Sequence, residues 1–230
     1  MKRNPLLPIS AVLTLVLAGA LLYAAFWSAG ISRAEGTPRA ENPGLLTALP
    51  ENMPKASFAG GCFWCMESEF RPLPGVVFTR AGYEGGTTEN PTYAQVTTGK
   101  TGHAETLEIY YDPEQTDYQA LVDHFLRKAH DPTTLNQQWV DRGTQYRSVI
   151  FYHDEKQRKI AEDTIARVDS EKIYPGRIVT QLVPAVIFWP AEEEHQQYYE
   201  KYEKEKGTPH IREVLKEELR KKKAAEAARP

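Results

Sequence analysis

Cys62 and Cys65 are the only two cysteines in 230 residues, and they sit three positions apart in Gly60-Gly61-Cys62-Phe63-Trp64-Cys65. A Cys-x-x-Cys pair with no other thiol in the chain points to redox chemistry or metal ligation. Lys55 to Gly60 has the composition of a short strand, and Cys62 to Phe70 reads as a helix that stops before Pro72, with Gly60-Gly61 as the hinge. A thiol at the start of a helix lies among unpaired backbone N–H groups and at the positive end of the dipole. Both favour the thiolate at Cys62. The three-residue spacing brings Cys65 onto the same face, where the pair could close as a disulfide. That bridge would enclose a tiny loop and stabilise little through chain entropy, so a purely structural staple is disfavoured.

Three chemistries remain open on these residues: zinc ligation, dithiol exchange of the thioredoxin kind, and a nucleophilic cysteine with a resolving partner. Zinc needs two more ligands, and His103, His124, His130, His153, His195 and His210 are scattered without the close spacing of a metal-binding pair. Dithiol exchange fits a pair placed after a first strand, and it would cast Val183-Pro184 as the proline loop opposite the cysteines.

The elements that must position the cysteines alternate between strand and helix. Val76 to Tyr83 reads as a second strand, followed by Gly85-Gly86 and a polar loop through Asn90-Pro91. Thr92 to Val96 forms a short helix, and His103 to Tyr111 has strand chemistry ending at Asp112-Pro113. Leu121, Val122, Phe125, Leu126 and Ala129 have helical spacing within Asp117 to Ala129. Ser148 to Tyr152 and Val179 to Val183 read as strands, Asp154 to Ser170 as a charged amphipathic helix, and Glu192 to Tyr202 as a helix rich in Gln and Tyr. The fold class expected is α/β in the sense of an α+β sandwich, a mixed sheet with helices packed on it.

Length and composition allow one sizeable core plus appended segments, with 41% hydrophobic residues and 10% aromatics. A net charge of -3 offers no basic stripe for nucleic acid. Residues 1–34 read as an export signal or membrane anchor: Lys2 and Arg3 precede an uncharged stretch to Ser32, and Ser32-Arg33-Ala34 has a small-x-small cleavage pattern. The apolar run within residues 6–31 approaches the roughly 20 residues that span a bilayer. The body is therefore expected outside the cytoplasm, periplasmic or held to the inner membrane. Residues 35–54 read as a linker, 55–205 as the catalytic domain, and 206–230 as a charged helical tail that frays beyond Pro209.

Further along, Gly61-Cys62-Phe63-Trp64 is followed by Tyr83-x-Gly85-Gly86, Asn90-Pro91-Thr92-Tyr93 and Thr101-Gly102-His103-Ala104-Glu105. His130-Asp131-Pro132-Thr133-Thr134 and Gly143-Thr144-Gln145-Tyr146-Arg147-Ser148 come next. In this order, over about residues 55–205, the chain resembles the A-type peptide methionine sulfoxide reductase (MsrA) family. The resemblance implies a ferredoxin-like core and reduction of methionine-S-sulfoxide in proteins to methionine, repairing oxidative damage. It implies no bound cofactor and no metal, a thioredoxin-like dithiol as external reductant, and a monomer.

The resemblance also assigns roles. Cys62 is the nucleophile that attacks the sulfoxide sulfur, and Glu105, Tyr93 and Tyr146 supply the acid and hydrogen bonds that its oxygen needs in order to leave. Asp141 is the supporting aspartate, and Phe63 and Trp64 wall a small apolar pocket for the S-methyl group. Attack leaves Cys62 as a sulfenic acid, which a second thiol must resolve. Many relatives carry a resolving cysteine near the C-terminus, but this chain has none past Cys65, and it has Cys65 where many relatives have Gly. Cys65 is therefore the expected resolver, against direct reduction of the sulfenic acid by an outside thiol. A binding module that has lost catalysis is the alternative of another class. Taken singly, Glu105 would read as a solvent-facing strand residue, Asp141 as a turn residue and Phe63 with Trp64 as core aromatics, while His103 reads as a loop-orienting residue outside the catalytic set.

Overall fold

The computed structural model describes residues 53–227, so the predicted export segment and the linker up to residue 52 lie outside the described residues. The described residues begin with β1 (Lys55–Gly60), α1 (Phe63–Phe70), β2 (Val76–Glu84), α2 (Tyr93–Val96), β3 (Ala104–Tyr111) and α3 (Tyr118–His124). A two-stranded hairpin follows, β4 (Gln137–Gln138) with β5 (Asp141–Arg142), and then a 3-10 turn, Thr144–Tyr146. β6 (Ser148–Tyr152), α4 (Glu155–Ser170), β7 (Gln181–Pro184) and β8 (Trp189–Pro190) complete the sheet. The 3-10 turn Glu193–His195, α5 (Tyr198–Lys206) and α6 (Ile211–Ala227) come last.

The main sheet runs β7-β6-β1-β3-β2-β8. Its middle four strands, β6-β1-β3-β2, are antiparallel, with helices after the first and third in chain order. That is the ferredoxin-like arrangement, extended by β8 on one edge and by β7, which pairs with β6 in parallel, on the other. The expected α+β sandwich with a mixed sheet is what the chain forms.

Local chemistry explains the helix starts. Asp117 and Asp154 accept the backbone N–H groups of Ala120 and Gln157 at 2.8 and 2.7 Å, and Thr92 with Gln95 forms a reciprocal capping box. Side-chain alternation then sorts the faces of the sheet. On β3, Leu107, Ile109 and Tyr111 join Ala56 and Phe58 of β1, Met66 and Phe70 of α1, and Leu121 of α3 in one buried cluster. Truncating a fully buried aromatic such as Phe58 would cost about 3–5 kcal/mol. Glu105 shares the face of Leu107 and Ile109, at the end of β3 that the start of α1 covers.

Several boundaries differ from those read in the sequence. The helix expected over Asp117 to Ala129 widens into a π turn at Phe125–Ala129, where the Phe125 carbonyl contacts His130 Nδ1 at 2.9 Å. The helix expected over Glu192 to Tyr202 is broken: Gln197 adopts φ +51°, and buried Gln196 bonds both backbone groups of Ala81 on β2. The last expected strand begins at Gln181 rather than Val179 and pairs up to Pro184. Register also separates Pro184 from the cysteines: Gly60 pairs with Ser148 at one end of β6, and Tyr152 with Pro184 at the other. The proline-loop arrangement of dithiol exchange is therefore not formed.

Candidate active site

Cys62 is the N-cap of α1, reached directly from β1 through Gly61, whose φ is +99°. A side chain at residue 61 would be strained by that backbone, and a Cβ there would come within 2.7 Å of Gln138 Cβ. Gln138 is itself fixed, donating to the Asp131 carbonyl at 2.6 Å and accepting from the Asp131 N–H at 3.0 Å. β1, the tight glycine turn and the β4–β5 hairpin together set where the Cys62 sulfur points. Cys62 is 6% exposed, and both cysteines are free thiols.

Glu105 is 1% exposed, contrary to the solvent-facing reading of an isolated strand glutamate. Its Oε2 accepts the backbone N–H of Phe63 at 3.0 Å, which ties it to the first turn of α1. Its Oε1 is buried without a hydrogen-bond partner among the described residues. Burial pushes its carboxyl up to about 8, partly offset by the Phe63 N–H. A carboxyl group held neutral near pH 7 can donate a proton, which a carboxylate cannot.

Aromatic rings form a wall beside this acid. Phe63 packs on Trp64 and Tyr93, both at 6.1 Å between ring centres, and on Tyr83 at 5.8 Å. His195 closes the wall, 4.2 Å from Tyr93 and 5.7 Å from both Phe63 and Trp64. Trp64 is backed by Tyr198 of α5, stacked at 3.9 Å. Glu192 holds the Tyr93 backbone N–H at 2.7 Å and the Tyr83 hydroxyl at 2.8 Å, so one carboxylate fixes two members of the wall. Phe63 is fully buried, packed with Ala81, Tyr83, Val96 and Ala191.

Tyr146 approaches from the 3-10 turn after β5. Burial raises its hydroxyl pKa, and the charges of Glu105, Asp141, Tyr93 and Cys62 add to the effect in that order, so these groups face a common space. Burial likewise pushes the Tyr93 hydroxyl up to about 12, with Glu105 and Cys62 contributing. Both phenols stay protonated and remain donors. Asp141 on β5 receives a two-pronged hydrogen bond from Arg212 of α6, at 2.7 and 3.0 Å.

The two thiols divide their roles differently from the expectation at the helix start. The Cys62 thiol is pushed well up by its hydrogen bond to Cys65, by burial and by the nearby charges of Cys65 and Glu105. Cys65 is pulled down, first by the Cys62 hydrogen bond and then by Lys216, Tyr199 and Arg212, against the opposing effect of burial. Both shifts act in one sense, favouring the proton on Cys62 and the charge on Cys65. A helix terminus alone favours the thiolate at Cys62; the cations that α6 brings to Cys65 are not visible in local sequence, and they act in the opposite sense.

The structure thus brings Cys62, Cys65, Phe63, Trp64, Tyr93, Glu105, Asp141 and Tyr146 to one site. Glu192 and His195 join the aromatic wall, while Tyr199, Lys216 and Arg212 pack from α5 and α6 against Cys65 and Asp141; none of the five is singled out by local spacing. The tail expected to begin at 206 is in its first turns part of the site's surroundings, because its cations pair with Asp141 and Glu69. His103 has the loop-orienting position expected: its Nδ1 accepts from the Gly86 N–H at 3.1 Å, and its Nε2 lies 2.8 Å from the Thr88 carbonyl.

Comparison with known proteins gives the same picture. The family described as peptide methionine sulfoxide reductase matches residues 54–228. Over 148 residues the chain is 54% identical to the peptide methionine sulfoxide reductase MsrA of Nocardia farcinica, covering 64% of this chain and 84% of that protein. The Methanothermobacter thermautotrophicus enzyme of the same name is 53% identical over 147 residues, covering 64% and 86%. Among solved structures, methionine sulfoxide reductase A of Corynebacterium diphtheriae superposes with a TM-score of 0.60 at 37% identity, over 72% of this chain and 82% of that one. Reduced Mxr1 of Saccharomyces cerevisiae superposes at 0.62 and 32% identity, over 67% and 88%. With its fold, its cysteine-bearing helix start and its family match in agreement, the chain belongs to the peptide methionine sulfoxide reductase family.

Proposed function

We propose that the protein reduces methionine sulfoxide in polypeptides to methionine, taking the S epimer, with Cys62 as nucleophile. The observation that carries this reading is Glu105: a buried, neutral acid tied to the residue after Cys62, with a free oxygen beside an aromatic wall. Phe63 and Trp64 take the S-methyl group, since aromatic faces suit a methyl attached to a soft sulfur. Tyr93 and Tyr146 hydrogen-bond the sulfoxide oxygen as charge builds on it. Asp141 keeps the Tyr146 turn and its neighbours in place.

As the Cys62 sulfur attacks the sulfoxide sulfur, Glu105 gives its proton to the oxygen, and the Cys62 thiol proton returns Glu105 to its neutral form. Methionine leaves reduced by two electrons, and Cys62 keeps the oxygen as a sulfenic acid. Cys65 then attacks the Cys62 sulfur. The S–S bond forms, the S–O bond breaks, and hydroxide takes the Glu105 proton and leaves as water. A thioredoxin-like dithiol reduces the disulfide and returns protons to Cys62 and Glu105.

Reduction of a methionine-S-sulfoxide peptide under dithiothreitol, with mass spectrometry of both cysteines after substoichiometric reductant, tests this reading. Robust turnover by the wild type and none by Cys62→Ser is expected. Equal, negligible rates for both would leave a binding module instead.

Residues 1–34 support placing the enzyme outside the cytoplasm, cleaved from or held by that segment. Among the described residues no helix is long and apolar enough to cross a membrane. Fractionation of cells expressing the full chain, with the N-terminus of the product sequenced, decides between cleavage and anchoring; recovery in the cytosol would overturn the placement.

A further inference from the structure

Cys65 meets Cys62 on one side and α5 and α6 on the other. The Tyr199 hydroxyl of α5 lies 3.1 Å from the Cys65 sulfur. Tyr199 is 4% exposed, and its ring is locked by stacking on His210 at 5.0 Å. From α6, Lys216 reaches the Cys65 carbonyl at 3.5 Å and Glu69 at 3.0 Å, and Arg212 holds Asp141. Cys62 on the same helix and Glu105 on β3 complete the titratable surroundings. Tyr199 keeps its proton, because burial and the neighbouring sulfurs raise its hydroxyl. In this pair the phenol donates and the sulfur accepts.

We propose that Tyr199 is a positioning residue for the second half of the reaction: its hydroxyl holds the Cys65 sulfur as the charged group that attacks sulfenic Cys62, and Lys216 and Arg212 of α6 supply the positive field. The same cradle acts in reverse during recycling. An external thiolate attacks the Cys62 sulfur, a new S–S bond forms, and Cys65 departs as thiolate into the Tyr199 hydrogen bond. The reductant's second thiol then releases Cys62. A thiol whose anion is stabilised leaves faster, so the cradle assigns Cys62 as the sulfur attacked and Cys65 as the one released. This inference rests on the reading of Cys65 as resolver.

The test follows a single turnover of the reduced full chain with a methionine-S-sulfoxide peptide. Quenching with an alkylating agent reports methionine release and Cys62–Cys65 disulfide formation separately, between pH 6 and pH 9.5. Tyr199→Phe is expected to slow disulfide formation roughly tenfold near pH 6.5, the effect of one hydrogen bond to a charged group. The deficit should close toward pH 9.5, where Cys65 ionises unaided, and methionine release should stay within about twofold of wild type. Lys216→Met should act in the same sense. Equal disulfide rates across the pH range, or methionine release falling in parallel, would overturn the proposal. Cys65→Ser separates the underlying reading: if it cycles normally with a thioredoxin-type reductant, Cys65 does not resolve; if it stalls as sulfenic acid while Tyr199→Phe has no effect, only the cradle fails.

Discussion

The backbone N–H of Phe63 donates to Glu105 Oε2 at 3.0 Å, so the residue that follows Cys62 also aims the Glu105 carboxyl. One carboxyl oxygen is occupied by this bond and the other is without a hydrogen-bond partner among the described residues. Glu105→Gln keeps the acceptor for Phe63 but has no proton to give. It should lower the rate of methionine release by roughly 10²–10⁴-fold, the usual contribution of general acid catalysis, while Cys62 and Cys65 still react with iodoacetamide. A loss under threefold in a rapid-quench assay would remove Glu105 from its role.

The same acid sets an alkaline limit. Burial holds the Glu105 carboxyl up at about 8, so it is protonated below that pH and ionised above it. Methionine release should decline as pH rises through about 8, and the Glu105→Gln variant should lack that limb. A wild-type profile flat to pH 9.5 would contradict the assignment.

Stability should slope with pH for a related reason. Burial raises Glu67 and Glu84 to about 7 and Glu105 to about 8, each from 4.5. Folded values above the unfolded ones mean a contribution that is complete below pH 4.5 and is lost as pH rises toward 8. Each group contributes a slope of at most about 1.4 kcal/mol per pH unit in that range. Buried His130, lowered from 6.5 to about 4, acts in the opposite sense below pH 6.5, and Cys65, pulled from 9 to about 6, does so between about pH 6 and 9, so one carboxyl is isolated by comparing a variant with wild type. Between pH 4.5 and 7 the urea midpoint of Glu67→Gln should rise relative to that of wild type, and a constant difference across that range would remove Glu67 from the account.

Arg212→Met should cost about 1–3 kcal/mol, the loss expected when a charge-assisted hydrogen bond is removed from a partly buried carboxylate. Chemical denaturation measures it directly. A variant as stable as wild type would show that the Arg212–Asp141 pair is incidental.

Gly61→Ala tests the turn that aims Cys62. The φ of +99° and the 2.7 Å approach to Gln138 act separately, so the substitution should destabilise by more than about 1 kcal/mol. Adding Gln138→Ala should recover only the part due to contact. Full recovery would show that the backbone is unstrained.

The strands and the starts of the first four helices were legible because their signals are local: alternation on β3, caps at Thr92, Asp117 and Asp154, and glycines at the turn before Cys62. Glu105 looked solvent-facing because period-two alternation says which residues share a face but not what covers it; α1 does, through the Phe63 N–H. Gln196 and Gln197 hid the break before α5, since a glutamine that bonds a distant strand carries no local helix-stop signal. Arg212 and Lys216 were invisible for a similar reason. Charged residues on a long helix ordinarily mean a solvated face, and only tertiary packing shows that these two meet Asp141, Glu69 and Cys65.

The clasp of α6 on the β5 hairpin joins residues far apart in sequence. Cys65 and the Lys216 ammonium that meets its carbonyl are 151 residues apart in sequence, and Arg212 reaches Asp141 across 71 residues. The charge setting of Cys65 is therefore a product of tertiary packing, in place only once α6 has docked.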